Sequence, residues 1–276
     1  MYRSVWKNYH KSVCSIEFYS KNGIRFYRAT GFRYKDHIIS DLCREELVRA
    51  ERVLLSFFCD GINGPACVID LKAGELSKRI TGEIRNDYSG VKFIRLTQRE
   101  MIAVPSLASG IPPHPATGTP VAIIGFSRSI DRPYLKTGIV SSRVMIGGDK
   151  FVHIETSLEP GNAGSPVIDG TTGSLVGVIT DCVSSQLRDY KMISEIIELN
   201  IRTLSQSNGS YVKGGIDMSQ AIRANLHIIR HLSRNIHLSS HRNHGFAVPF
   251  ARIARYAETI EQGSQASIKE DEQLLK

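Results

Sequence analysis

Nowhere in this 276-residue chain do about 18 or more apolar residues run together, so no segment reads as a membrane-spanning helix. The first twenty residues, MYRSVWKNYHKSVCSIEFYS, also lack the uninterrupted apolar stretch of a secretion signal. An intracellular, cytoplasmic protein is expected. Cysteines are few and odd in number: Cys14, Cys43, Cys59, Cys67 and Cys182 are widely spaced and form no CxxC pair. That pattern argues against a disulfide framework or a zinc module and for reduced thiols. There is no HExxH motif, and the i,i+4 pair His227 and His231 has no obvious third ligand, so neither a metal nor a cofactor is expected. Acidic residues are absent from one long stretch. Between Met218 and Ala257 there is no Asp or Glu, against Arg223, Arg230, Arg234, Arg242, Arg252 and Arg255, so the net charge of +8 is uneven.

With 41% hydrophobic residues the chain can bury a sizeable core. Residues 12 to 96 break into short runs rich in Val, Ile, Phe and Tyr: SVCSIEFY, IRFYRATGFRY, HIISD, RVLLSFF, ACVID and VKFIRL, separated by Gly, Asn and Asp. After the Pro-rich link SLASGIPPHPATGTP the same pattern resumes in VAIIGF, YLKTGIVSSR, KFVHIETS, SPVID and LVGVIT. Two six-stranded all-β halves are expected, residues 1–105 and 106–256. From Asp181 the period changes. MISEIIELNIRTL and MSQAIRANLHIIRHLSRNI carry apolar residues every three or four positions, predicting a two-helix insertion over 183–243. GFAVPF reads as a last strand, and residues 257–276 as a polar tail.

Several segments, in order, resemble the HtrA/Deg branch of the chymotrypsin-like (trypsin-like) serine proteases. KSVCSI is similar to that family's first strand, ATGFRYKDHIISD to its GSGF segment, GTPVAIIGF and LKTGIVSSR to its central strands, IETSLEPGNAGSP to its PGNSGGP turn, and HGFAVPF to its closing GFAIP. The resemblance covers roughly residues 10–182 and 244–256. It implies two six-stranded β-barrels with the two-helix insertion before the last strand, and no PDZ domain within this chain.

The same resemblance locates a catalytic triad of base, orienting carboxylate and nucleophile. Cys43 falls where the family has its histidine, and Ala163 where it has its serine. Asp87 aligns with the orienting carboxylate, or Ser89 does after a slip of two residues. Base and nucleophile are thus substituted, and His37 and Ser165 are poor replacements: His37 opens a strand instead of following it, and the hydroxyl of Ser165 should point away from the cleft. Gly161, Asn162 and Gly164 still allow the turn whose N–H groups converge on an oxyanion. A catalytically inactive homologue that binds a peptide or protein partner is expected. Two alternatives stay open: an active serine endopeptidase in which Ala163 is an engineered replacement, and a basic-faced nucleic-acid or membrane adaptor. On a helical wheel Arg223, His227, Arg230, His231 and Arg234 gather opposite Met218, Ile222, Leu226 and Ile229. The apolar stripe is expected to dock on the second barrel, leaving the basic face for a protein partner, whereas nucleic acid is disfavoured because stacking aromatics are missing.

Overall fold

In the computed structural model the described residues are 1–61, 64–85, 90–107, 115–180, 185–206, 212–213, 216–240 and 244–274, the side chains of 185–191, 212–213, 216, 234–240 and 263–274 excepted. The chain opens with helix α1 (Tyr2–Tyr9), followed by β1 (Val13–Tyr19), β2 (Arg25–Tyr34), β3 (His37–Asp41), α2 (Arg44–Arg49), β4 (Arg52–Phe58), β5 (Pro65–Lys72), α3 (Ala73–Arg79), β6 (Ile80–Arg85), β7 (Gly90–Arg95) and α4 (Gln98–Ala103). Then come β8 (Pro120–Gly125), β9 (Tyr134–Ile146), β10 (Asp149–Glu155), β11 (Pro166–Asp169), β12 (Leu175–Thr180), α5 (Ser185–Gln206), β13 (Val212–Lys213), β14 (Ile216–Asp217), α6 (Met218–Ser240), β15 (His244–Pro249) and α7 (Phe250–Leu274).

The second half closes into a six-stranded antiparallel barrel in the order β10-β15-β12-β11-β8-β9, and the sequence marked all six strands. The first half is a seven-stranded sheet, β5-β4-β1-β2-β3-β7-β6. The strand beyond the expected six is β6, whose residues Ile-Thr-Gly-Glu-Ile-Arg pair only with β7 and bury little but Ile84. An edge strand needs no apolar run, which is why the pattern hid it.

Three apolar clusters fill this body. One lies inside the first sheet around Ile16, Phe18, Leu55 and Leu76. A second lies inside the barrel around Ile123, Ile154 and Val167. The third joins them: Phe32, Ile39 and Phe93 of the sheet pack with Ile124, Phe126 and Val178 of the barrel and with Phe250 and Ile253 of α7. The segment expected as a polar tail from residue 257 begins inside α7. Phe250, Ile253, Ala254 and Ala257 form a buried i, i+3, i+4, i+7 stripe. Two of its four members are alanines, so its periodicity is faint in the sequence. Tyr256 and Ile260 continue the helix onto Gly82 of β6, where a Cβ would lie 2.6 Å from Ile260 Cδ1.

Residues 183–242 form a second compact unit, in which α5 packs against α6 and β13 pairs with β14. Within this unit the structure corrects one expectation: the basic face of α6 is not wholly free. Arg223 is half-buried, and Arg230 donates to Glu198 of α5 at 2.6 Å. His227 and His231 are exposed, and the side chain of Arg234 lies outside the described residues. Among the described residues no group of three His, Cys, Asp or Glu could hold a metal, and no helix is long and apolar enough to cross a membrane.

Candidate functional site

The loop from β10 to β11 folds tightly at Glu159–Gly164. Asn162 N–H donates to Glu159 O at 3.0 Å, and Gly161 takes φ +109, a left-handed conformation that glycine adopts without strain. The Asn162 amide fixes the turn from both ends. Its Oδ1 accepts from Glu159 N–H, while its Nδ2 donates to Phe126 O and to the Tyr134 hydroxyl, all at 2.8 Å. Burial, more than the nearby Glu159, pushes the Tyr134 phenol up to about 12, so it stays a neutral acceptor.

Thr30 of β2 ties this turn to the first sheet. Its N–H donates to Ala163 O at 2.8 Å, and its hydroxyl donates to Gly161 O at 2.7 Å while accepting from Phe126 N–H at 3.0 Å. Gly164, at φ +84, presses against Thr30 O and lies beside Ser40 and Asp41 at the end of β3. Its N–H is taken by Ile179 O. Among the described residues the N–H groups of Gly161 and Ala163 have no acceptor. Two donors alternating along a rigid turn are the arrangement that receives a carbonyl oxygen or oxyanion.

Of the positions expected to carry the triad, Cys43 and Ala163 are among the described residues. Cys43 is half-buried at the N-terminus of α2, two residues beyond Asp41, which itself abuts Gly164. Leu42 N–H donates to Gly90 O at 3.2 Å, bringing the start of β7 alongside. Asp87 and Ser89 lie outside the described residues. His37 sits at the opposite end of β3 from Asp41, about 13 Å along a strand of this length, and burial holds its imidazole below its ordinary value despite Asp36 at 2.7 Å. Ser165 is fully buried, its hydroxyl directed at Gly125 and without a hydrogen-bond partner among the described residues.

Sequence reading missed two members of this site. Asp41 places a carboxylate, 1% exposed, under the turn, where Oδ2 accepts from the Thr180 hydroxyl at 2.7 Å. The signal was an Asp two residues before Cys43, where the resembled family carries Asn. Thr30 was quoted within ATGF, but its role as the clamp between the two halves depends on partners about 100 and 131 residues away and leaves no local trace.

Residues 57–178 match the family described as Trypsin-like peptidase domain, less than half of the chain. A serine endoprotease from Yersinia pestis has a similar structure, with TM-score 0.54 at 16% identity over 94% of this chain and 66% of that one. The fold is the chymotrypsin-like two-barrel fold. The HtrA-type protease AlgW with a tripeptide aligns with TM-score 0.48 and 15% identity over 65% of this chain and 54% of its own. This chain therefore spans about two thirds of the first neighbour's length and about half of the second's. No curated protein matches it by sequence.

Proposed function

We propose that this trypsin-like fold is a catalytically inactive protease homologue that holds a peptide segment of a protein partner without cutting it. One observation supports the reading: in the turn where the family resemblance would put Ala163 at the nucleophile's place, the Gly161 and Ala163 N–H groups have no acceptor among the described residues. A methyl group cannot attack, and the thiol of Cys43 cannot prepare a hydroxyl for attack as an imidazole does. The oxyanion donors act through backbone geometry and are independent of those side chains, so they remain able to orient a peptide carbonyl. Cys14, Cys43, Cys59 and Cys67 are free thiols, which fits an intracellular setting.

Incubation with casein and with short fluorogenic peptides is expected to show no turnover, and fluorophosphonate probes no labelling. Stoichiometric labelling of Ser165 would overturn the reading. Ala163→Ser alone is also expected to stay inactive, because no base faces the new hydroxyl; Cys43→His with Ala163→Ser is the smallest change expected to give measurable hydrolysis. Strong activity from Ala163→Ser alone would place the chain among active endopeptidases.

A further inference from the structure

The second barrel is hollow at the end where β9 turns into β10. Gly147 and Gly148 form that turn, a two-residue hairpin loop, and the register on either side decides which side chains share a face. Arg143 stands opposite Val152 and Met145 opposite Lys150; Val152 also pairs with Ala247 of β15, so Pro249 comes level with Lys150. Val152 and Ala247 belong to the cluster inside the barrel. Arg143, Met145, Lys150, Val152 and Pro249, with Pro115 from the segment before β8, line a cavity of about 330 Å³. That size falls within the range of small-molecule sites, for which barrel mouths are a preferred place. The seven residues of β10, about 20 Å of strand, separate it from the turn at Glu159–Gly164.

The wall of the cavity is apolar and its rim is cationic. Met145, Val152, Pro115 and Pro249 supply the wall, and Met145 is 61% exposed along it. Arg143 and Lys150 are exposed and have no ion-pair partner among the described residues. Among the described residues no acid lines the cavity, and the hairpin's own carboxylate, Asp149, pairs with Arg252 of α7 at 2.9 Å. Two unpaired cations beside an apolar hollow match one anionic group on an apolar tail. A small inorganic anion would leave the wall wet, and an alcohol or amine would give the cations no counter-charge. At about 30 Å³ per heavy atom, the share of a water molecule in the liquid, the hollow holds about eleven such atoms. We propose that this barrel mouth binds a medium-chain carboxylic acid of about ten carbons, its tail against Met145 and Val152 and its carboxylate between Arg143 and Lys150. This stands independently of what the turn at Ala163 does.

Isothermal titration of the full chain with decanoate is expected to show one saturable site with a Kd of about 10–100 µM. Each buried methylene is worth roughly fourfold in affinity, so octanoate should bind about 15-fold more weakly, whereas dodecanoate, longer than the hollow, should gain little. Decanol and decylamine should each bind about tenfold more weakly than decanoate. Arg143→Gln with Lys150→Gln should weaken decanoate about tenfold and leave decanol unchanged. Lys21→Gln with Arg99→Gln removes the same charge elsewhere and should change neither. All four side chains are exposed, so none of these variants puts the fold at stake. No saturable binding of decanoate up to about 1 mM, equal affinity for decanol, or indifference to the Arg143 and Lys150 changes would overturn the proposal. So would displacement of decanoate by excess inorganic phosphate. Tighter binding of a tripeptide ending in a leucine carboxylate would overturn it as well, by making the hollow a seat for a protein C-terminus.

Discussion

Arg28→Ala is expected to lower the unfolding free energy by about 3–5 kcal/mol, the cost of removing one partner from a buried ion pair. The guanidinium, 2% exposed, uses its full set of donors. Nε donates to Glu17 at 2.8 Å, Nη2 bonds Glu17 and Asp131, and Nη1 holds the carbonyls of Ser127 and Ile130 at 2.7 and 2.9 Å. In the variant, Glu17 would remain buried with only Tyr19 and Arg25 to compensate it. Burial pushes the Glu17 carboxyl up, but Tyr19, Arg28 and Arg25 together hold it below its ordinary value. Its contribution to stability is therefore present above about pH 4.3, the unfolded value, and is lost as pH falls through the lower folded one. Without Arg28 that stabilisation largely disappears, so the gap between wild type and variant should be widest near neutrality and narrow on acidification. Urea denaturation at pH 7 and at about pH 2, well below the unfolded value, measures both quantities. An equal gap at both would mean that the arginine acts through its packed stem.

Gly164→Ala should be at least as damaging, about 4 kcal/mol or more, and should leave little folded protein on heating to ordinary assay temperatures. Two independent costs add. The residue sits at φ +84, where an alanine is strained by roughly 1–2 kcal/mol. Its Cβ would also fall 2.0 Å from Thr30 O and 2.8 Å from Asp41 N, atoms of neighbouring strands that cannot rotate away. Gly74 in α3 supplies the control. No atom lies within 4 Å of its Cβ position, so Gly74→Ala should stabilise by about 0.5–1 kcal/mol. If thermal melts rank the two substitutions alike, the turn is looser than its hydrogen bonds imply.

Both residues show how far the sequence could be read. The turn around Gly164 was legible because a tight bend needs glycines at fixed spacing, and the barrel strands were legible because they alternate over a buried face. Arg28 lay unremarked inside IRFYRATGF, since its carbonyl partners are about 100 residues away. The α6 stripe was legible as apolar, but periodicity reveals which side chains share a face, not what covers it. Asp41 was passed over for a related reason, because a carboxylate's role rests on Thr180, 139 residues later.

Helix α7 carries a consequence for the order in which the chain can mature. Phe250 meets Tyr34 edge-on at 5.2 Å, Tyr256 meets Phe93 at 5.2 Å, and Arg252 pairs with Asp149 of the barrel at 2.9 Å. One element made after some 250 residues thus grips both β bodies. During synthesis the first sheet can assemble early, but the seam it shares with the barrel stays open until β15 and α7 emerge. For that interval Phe32, Phe93 and Phe126 lack their last neighbours, which makes the nascent chain a client for chaperones that recognise exposed apolar surface.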